Sequence, residues 1–339
     1  MDNSLLKQIL REYAEKRDRA IYEADIRKKE LLKVNPRLSE IETELSSISI
    51  KTAKSILISD EKEKSKLLSE LKKQTAALIK EKNAFLKTIS KDSGYLNPHF
   101  DCKMCKDTGY VIRDNTTTMC SCLKQRIYDV AYNKSNMGNL ERENFSTFNI
   151  RMFSDKPNKE LYKSEISPRQ NINLIREKTE NFINNFDNPS EKNLLFTGNT
   201  GLGKTFLTNC IASEMLKRGK TVLYQTAPVM LDAIIDAKFG KETSVPNLLD
   251  NILNVDLLII DDLGTETPNN LKITELFTII NTRLLNQNHK ITKTIISTNL
   301  TMEELNKTYT SRISSRLVGS YLLLRFFGED LRFKKAKKE

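Results

Sequence analysis

The fold is decided by Gly198-Asn199-Thr200-Gly201-Leu202-Gly203-Lys204-Thr205. This stretch fits the phosphate-binding loop template G-x-x-x-x-G-K-[ST], in which glycines let backbone N–H groups turn inward around an anion. The apolar run 193–196 before it favours a buried strand, and the residues from Phe206 to Lys217 favour a helix. A strand, a glycine loop and a helix N-terminus form a phosphate site. Because the pattern is correct on both sides, a plain glycine turn is the weaker interpretation.

Two side chains at the end of this loop have separate tasks in the predicted site. We expect Lys204 to reach the β and γ phosphates of ATP and the Thr205 hydroxyl to hold Mg²⁺. The nucleotide-binding stretch is expected to run from Gly198 through Phe206. ATP and Mg²⁺ are therefore the predicted cofactors of this part of the chain.

The composition restricts the class of protein. A length of 339 residues predicts roughly two or three domains and is sufficient for a hydrophobic core. A formal net charge of +11 favours polyanionic partners such as nucleic acid, although exposed lysines can account for part of it. The sequence has no apolar run near the ~20 residues of a membrane span, and its N-terminal segment is too charged for a signal peptide. We expect a soluble, cytoplasmic protein without a membrane partner.

Residues 1–92 are predicted to form a helical arm. Their apolar residues recur at spacings of three and four, as on one face of an amphipathic helix. Asn35-Pro36 interrupts the pattern, because proline disfavours helical geometry in the preceding residue and suits the first turn of a new helix. A further helix is expected to begin near Ser59-Asp60. The arm is either a self-contained helical bundle or a surface that binds a partner helix.

The cysteines predict a metal site. Four of the five are grouped in the sequence as Cys102-x-x-Cys105 and Cys120-x-Cys122. Each pair can present two thiolates to one ion, and four sulfurs complete a tetrahedral zinc site. Nothing in the group supplies an acid, a base or an open metal position, so the predicted Zn²⁺ is structural. His99 is an alternative ligand in place of one cysteine.

These patterns predict three consecutive parts of the chain. Residues 1–92 form the arm, residues 93–138 form a small zinc-ribbon-like module with a linker helix from Leu123 to Met137, and residues 139–339 form the ATPase domain. In the last part, apolar strands alternate with helices. That alternation predicts an α/β fold, with a parallel sheet and helices on both of its faces.

The second half of the nucleotide site is predicted at the end of the run Asp256-Leu-Leu-Ile-Ile-Asp261-Asp262. Apolar residues that end in a carboxylate describe a central parallel strand whose C-terminal end lies beside the phosphates. We expect Asp261 to orient the Mg²⁺ shell and Asp262 to polarise the attacking water. Many ATPases of this kind have glutamate at the second position, and Glu266 is an alternative for that role.

Further polar residues complete the predicted site. Asn299 ends the next predicted strand, where its amide can sense the γ phosphate or hold the lytic water, although asparagine is also a routine turn residue there. Arg312 and Arg316 lie four residues apart on one predicted helix face, without an acidic partner in the sequence. An arginine supplied to a neighbouring subunit stabilises the charge of the transition state. Arg332 is a candidate second phosphate sensor.

Together, these residues resemble the bacterial replicative helicase loaders of the DnaC and DnaI type, which are AAA+ ATPases with an IstB-like core. The resemblance extends roughly from Cys102 to Arg332. It rests on Cys102-x-x-Cys105-x-Asp-Thr-Gly-Tyr110, the loop at 198–205, Ile259-Ile-Asp-Asp-Leu-Gly264, Ser297-Thr-Asn299 and Arg312-Ile-x-Ser-Arg316-Leu317. The double aspartate occurs in one branch of the loaders, and the helical region before the cysteines is unusually long for the family.

The resemblance implies roles for residues and for whole parts of the chain. Asn299 looks like the first sensor, Arg316 like the arginine finger with Arg312 in support, and Arg332 like the second sensor. The N-terminal helices would bind the hexameric replicative DNA helicase. The ATPase domain would bind single-stranded DNA and self-assemble in an open spiral. The implied function is an ATP-dependent loader that delivers the helicase at replication initiation or restart, with slow hydrolysis stimulated by assembly, DNA or helicase.

Two other functions compete with this one. Transposase-helper ATPases share the AAA+ core and act on duplex DNA, but they do not characteristically carry the cysteine group. A zinc adaptor protein that binds nucleotide without hydrolysing it is the non-enzymatic alternative. It predicts ATP binding without hydrolysis even when DNA and helicase are present.

Overall fold

The computed structural model describes residues 3–56, 61–89, 91–113, 115–130, 140, 142–240, 248–267, 269–286 and 290–336. Spatial proximity divides the chain into two units, Leu10–Val111 and the combination of Met1–Ile9 with Ile112–Glu339. Among the helices in these ranges, none has the length and apolar character that crossing a bilayer requires.

Long helices form most of the unit Leu10–Val111: α1 Asn3–Val34, α2 Pro36–Ile56 and α3 Glu61–Thr88. The predicted break at Asn35-Pro36 is confirmed. The Asn35 side-chain amide donates to Leu31 O at 2.9 Å at the end of α1, and Pro36 opens α2. The start predicted near Ser59-Asp60 lies outside the described residues, and helix α3 is observed from Glu61.

One half-buried carboxylate links these helices. Glu42 of α2 forms an ion pair with Lys28 of α1 at 2.5 Å and with Lys82 of α3 at 2.5 Å. Burial raises the pKa of the Glu42 carboxyl, but the two ammonium groups more than offset burial, so the pKa lies below its ordinary value. The buried apolar residues of the same helices include Ala20, Ala24, Leu38, Ile41, Ile48, Leu71 and Leu86. The helices therefore pack on one another.

A short hairpin and a helix follow the first cysteine pair. Strands β1 Tyr110–Arg113 and β2 Thr116–Met119 pair with each other. Helix α4 spans Ser121–Tyr128. The linker helix predicted from Leu123 to Met137 thus begins earlier, and its part beyond residue 130 lies outside the described residues.

A parallel sheet forms the centre of the second unit. Its strands in the described residues are β3 Asn193–Thr197, β4 Val222–Thr226, β5 Leu257–Leu263, β6 Lys293–Thr298 and β7 Tyr321–Arg325, in the spatial order β4-β5-β6-β3-β7. Strands β3 and β6 are buried along their whole length. Parallel strands that are covered on both faces favour nearly continuous apolar sequences, as in the run 257–260 of β5.

The helices of this unit cover both faces of the sheet. Among the described residues, the helices of this unit that follow α4 are α5 Lys159–Tyr162, α6 Pro168–Asn184, α7 Lys204–Lys217, α8 Ala227–Lys238, α9 Leu248–Asn254, α10 Asn270–Asn286, α11 Met302–Thr308, α12 Ser311–Ser320 and α13 Leu331–Ala336. Successive side chains of a strand point to opposite faces. In β3, Leu194 and Phe196 belong to the apolar cluster that contains α6 and α7, and Leu195 belongs to the cluster that contains α8 to α12. The predicted α/β fold is confirmed.

A buried arginine joins helix to sheet away from the loop. Arg283 of α10 is 1% exposed. Its guanidinium donates to Ile252 O at 2.7 Å, Val255 O at 3.0 Å, Lys293 O at 2.7 Å and the Thr294 hydroxyl at 2.9 Å. Burial lowers its pKa to about 10. Its donors therefore satisfy carbonyls at the end of α9 and the start of β6.

The strand register brings the predicted site residues to one edge of the sheet. Thr197 of β3 and Leu263 of β5 both pair with Thr298 of β6. The β5–β6 register shifts between Ile260 and Leu263, which is a β-bulge at the acidic pair. The carboxyl ends of β3, β5 and β6 are therefore neighbours.

Candidate nucleotide site

The phosphate-binding loop connects β3 to α7. Gly198, Gly201 and Gly203 have φ of 139°, 74° and 86°, values that L side chains rarely adopt. A Cβ at Gly198 would lie 2.2 Å from the carbonyl oxygen of Phe326, and a Cβ at Gly201 would lie 2.0 Å from Oδ1 of Asp330. Glycine is thus needed both for the turn and for the close approach of the segment 326–330.

Lys204 is the first residue of α7, and its side chain is buried. Its Nζ donates to Gly198 O at 2.5 Å, to Asn199 O at 2.8 Å and to Asn299 Oδ1 at 2.6 Å. Burial lowers the pKa of Lys204 to about 8, against the opposing effect of the two nearby aspartates. The structure therefore places the predicted Lys204 and Asn299 in direct contact.

Asp261 is 3% exposed and accepts hydrogen bonds on both carboxylate oxygens. Oδ2 accepts from the Thr205 hydroxyl at 3.1 Å and from the Tyr224 hydroxyl at 2.5 Å. Oδ1 accepts from the Ser297 hydroxyl and from the backbone N–H of Asp262, the latter at 3.1 Å. Because Thr205 directs its proton to Asp261, the lone pairs of its oxygen are available to a metal ion. This arrangement fits the predicted Mg²⁺ site.

Asp262 lies in the β-bulge with a positive φ of 54°. Such a conformation is costly for a residue other than glycine and is common at functional sites. Its carboxyl is half-buried. Burial and the neighbouring Asp261 raise its pKa, while Lys204 lowers it. Asp262 therefore lies within electrostatic range of the loop lysine.

Glu266, the alternative to Asp262, is engaged elsewhere. It is buried, and its Oε2 accepts from the backbone N–H of Gly264 at 2.9 Å. Its Oε1 accepts from the Tyr309 hydroxyl. Both oxygens of Glu266 thus have donors within the protein.

The three predicted arginines lie in two different parts of the chain. Arg312 and Arg316 are exposed on α12, and neither takes part in an ion pair among the described residues. Arg332 is exposed and pairs with Asp330, with Nη2 to Oδ2 at 2.8 Å and Nε to Oδ1 at 3.1 Å. Beside this pair, the Leu331 backbone N–H donates to Gly201 O at 2.9 Å. Arg332 is therefore attached to the loop through its neighbours.

An apolar surface borders the loop at Phe206. The ring centroid of Phe206 lies 5.6 Å from that of Phe148, which lies 6.2 Å from that of Phe153. A Cβ at Gly203 would lie 3.7 Å from Cζ of Phe153. Aromatic rings beside a phosphate site suit the binding of a purine base.

Sequence reasoning did not single out Tyr224 or Asp330, and it quoted Ser297 only as part of a motif. Ser297 and Tyr224 lie on the strands on either side of the one that carries Asp261. Polar residues near the C-terminal ends of apolar strands are the signal that could have identified both. The position of Asp330 depends on the path of the chain after β7, for which the sequence carries no comparable signal.

The cysteines form one group. The Sγ atoms of Cys102, Cys105, Cys120 and Cys122 all lie within 4.8 Å of one another, and tetrahedral ligands with 2.3 Å bonds stand roughly 3.8 Å apart. Among the described residues this group does not include His99, which is exposed. The Asp107 carboxylate accepts from the backbone N–H groups of Asp101 at 2.9 Å and Cys102 at 2.8 Å, so the turn between the first two cysteines is held in place. The group fits a zinc module.

Comparison with known proteins assigns the chain to a family. The family model described as IstB-like ATP binding protein matches residues 166–338. The replicative helicase loader DnaC of Escherichia coli K12 is 31% identical over 210 residues, which cover 59% of this chain and 82% of the relative. A putative ATP-binding protein of insertion sequence IS1162 from Pseudomonas fluorescens is 34% identical over 76 residues, which cover 21% of this chain and 30% of that protein.

A crystal structure of the DnaC helicase loader matches with a TM-score of 0.43 and 22% identity, over 56% of this chain and 99% of that chain. The family model extends over half of the chain, and the DnaC relative is matched along most of its own length. The chain belongs to the family of IstB-like ATP binding proteins.

Proposed function

We propose that this protein is an ATP-dependent loader that binds the replicative DNA helicase and delivers it to single-stranded DNA at replication initiation or restart. The observation that carries the proposal is the 31% identity to the E. coli DnaC loader along 82% of that relative. The geometry supports the ATP dependence, because the Lys204 ammonium contacts Asn299 and lies within electrostatic range of Asp261. A loader of this kind works in the cytoplasm, where the chromosome is replicated.

The loop residues explain how ATP is held. The Lys204 ammonium donates hydrogen bonds to two loop carbonyls and to Asn299 Oδ1. Charged phosphate oxygens are stronger acceptors than these groups, so Lys204 would move to the β and γ phosphates. Asn299 would then be free to contact the γ phosphate or the attacking water. A bound Mg²⁺, held by Thr205 with Asp261, would neutralise charge on the phosphates.

Hydrolysis needs an oriented water and a stabilised transition state. We assign the water to Asp262 rather than Glu266, because both oxygens of Glu266 already have donors within the protein. Arg316 from a neighbouring subunit would stabilise the transition state with Arg312 in support, and Arg332 would act as the second sensor. Hydrolysis would then be slow in the single subunit and stimulated by assembly, and turnover would release the loader from the helicase.

The parts of the chain divide the work in this proposal. Residues 1–92 would grip the helicase, residues 93–138 would form the zinc module with its linker helix, and residues 139–339 would bind ATP, self-assemble and contact single-stranded DNA. The formal net charge of +11 supports a polyanionic partner. Because the helical arm and the ATP loop lie in separate parts of the sequence, helicase binding should not need nucleotide.

Lys204→Ala separates these activities. We expect the variant to lower helicase loading at least tenfold, because the ammonium that contacts the phosphates is lost, and to leave a pull-down of the helicase unchanged. Loading is measured as unwinding of a single-stranded circular template with an annealed oligonucleotide. Lys217→Ala is the matched control, since Lys217 is an exposed lysine of the same helix and pairs with Glu214. Loss of the pull-down by the Lys204 variant would contradict the division of work.

The competing functions give different results in the same assays. A transposase helper would bind duplex DNA and fail to retain the replicative helicase. A non-hydrolysing zinc adaptor would bind ATP without releasing phosphate when DNA and helicase are both present. Either result would reject the loader.

We also propose that the four cysteines hold one structural Zn²⁺. Protein purified under reducing conditions is expected to contain about one zinc per chain by elemental analysis, and Cys105→Ser is expected to lose it. Cys210→Ala is the control and should retain the metal, because burial raises the pKa of the Cys210 thiol to about 12 and keeps it protonated. Wild-type protein without zinc would remove the assignment.

A further inference from the structure

A tyrosine of the neighbouring strand contacts the carboxylate of the proposed Mg²⁺ site. In the β4–β5 register, Tyr224 pairs with Ile259 and Thr226 pairs with Asp261. Residues two apart in a strand share a face of the sheet, so Tyr224 and Asp261 lie on the same face, one step apart diagonally. An aromatic side chain can span that diagonal. The Tyr224 hydroxyl donates to Asp261 Oδ2 at 2.5 Å.

The Tyr224 side chain is buried, and its hydroxyl is a hydrogen-bond donor. Tyr224 is 1% exposed, and its ring belongs to the apolar cluster that contains Leu207 and Ile211 of α7. A phenol hydroxyl is protonated at neutral pH, so that of Tyr224 is a hydrogen-bond donor to the carboxylate. A hydrogen bond from a neutral hydroxyl to a buried carboxylate is strong, because the acceptor is ionised.

The Asp261 oxygen that accepts a hydrogen bond from Tyr224 also accepts one from Thr205. Oδ2 of Asp261 accepts from both Tyr224 and Thr205, while Oδ1 accepts from Ser297 and the backbone of Asp262. With only 3% of Asp261 exposed, bulk water does not set the orientation of its carboxylate. The protein donors must therefore set that orientation. The orientation of the Asp261 carboxylate in turn decides whether the lone pairs of the Thr205 oxygen remain available to a metal ion.

We propose that Tyr224 is a positioning residue of the Mg²⁺ site. Its hydroxyl, together with that of Ser297, fixes the Asp261 carboxylate so that Oδ2 receives the proton of Thr205 and the Thr205 oxygen is presented to the metal. This inference rests on the proposed ATP site. Loss of a group that hydrogen-bonds to a metal ligand typically changes metal affinity or activity 10- to 100-fold.

The test is Tyr224→Phe, which removes one oxygen and keeps the buried ring. A fluorescent ATP analogue is titrated first in EDTA and then with increasing Mg²⁺. We expect the affinity for the analogue in EDTA to stay within about twofold of wild-type, and the Mg²⁺ concentration for half-maximal tightening to rise about tenfold. Manganese binding measured by electron paramagnetic resonance in the presence of ADP should weaken in parallel. Unchanged metal dependence would reduce Tyr224 to a packing residue and overturn the inference.

Controls separate this role from general effects. Tyr309→Phe removes a buried tyrosine hydroxyl from the carboxylate of Glu266 and should leave the Mg²⁺ dependence unchanged. Ser297→Ala acts on the other oxygen of Asp261 and should also raise the Mg²⁺ requirement, so it decides the matter if the Tyr224 variant does not fold. If neither Asp261 donor changes the Mg²⁺ requirement, the inference is wrong. Wild-type protein that fails to bind the analogue would reject the ATP site itself, which is a distinguishable outcome.

Discussion

Arg316→Ala is expected to lower stimulated ATP hydrolysis about a thousandfold, while the ATP affinity of the single subunit stays within about threefold of wild-type. Arg316 is exposed on α12 and forms no ion pair within the described residues. A guanidinium that is not engaged in its own subunit can approach the phosphates of a neighbour. There it neutralises charge that develops only in the transition state, so its loss changes the rate more than the binding.

The measurement is phosphate release with helicase and single-stranded DNA present, alongside ATP binding by the isolated subunit. A mixture of two variant subunits tests the trans role more directly. A mixture of Arg316→Ala and Lys204→Ala subunits should recover part of the activity, because the Lys204 variant offers its arginine to the intact loop of the other subunit. If Arg316→Ala abolishes ATP binding by the single subunit, the arginine acts within its own chain and the trans role is wrong.

Arg283→Met is expected to lower the free energy of unfolding by about 4 kcal/mol, because each buried acceptor left without a donor costs roughly 1–3 kcal/mol. Arg283 is fully buried and serves the carbonyls of Ile252, Val255 and Lys293 together with the Thr294 hydroxyl. Methionine fills much of the volume and supplies no donor. Urea unfolding followed by circular dichroism measures the loss.

A surface arginine provides the control for this variant. Arg218 donates to Ile183 O at 2.7 Å and to Asn184 Oδ1 at 2.8 Å, but it is exposed, so water can replace it. Arg218→Met should cost less than about 1 kcal/mol. Equal losses for both arginines would show that burial does not govern the effect. Arg283→Lys should remain destabilising, since an ammonium cannot reproduce the planar fork of donors.

The sequence predicted the strands that lead into the loop and into the acidic pair, because each contains a short apolar run. The helix predicted after the loop, from Phe206 to Lys217, is observed as α7 Lys204–Lys217. The meeting of Lys204 with Asn299 followed from the order of parallel strands, whose carboxyl ends share one edge. The break at Asn35-Pro36 followed from the chemistry of proline alone.

Other features depend on contacts that no local pattern encodes. The hydroxyl of Tyr224 meets Asp261 only because β4 pairs with β5 in one particular register. A one-residue slip would turn the ring to the opposite face. In the sequence, Arg283 is indistinguishable from an exposed arginine of a helix. Its burial follows from the carbonyls that it satisfies, which lie in two other segments. Glu266 was a reasonable acid candidate until the position of Tyr309 was known.

The position of β3 has a consequence for how the protein is made. Strand β3 leads into the ATP loop, yet it lies between β6 and β7, and its partner Ile295 follows Leu194 by about 100 residues. The loop itself is backed by Phe326 and Leu331, which donate to Thr197 O and Gly201 O. A chain emerging from the ribosome therefore contains the nucleotide-binding motif long before the later segments that pack against the loop have been synthesised. A chain that ended before Phe326 would keep the motif and lose the backbone hydrogen bonds that Phe326 and Leu331 donate to Thr197 and Gly201.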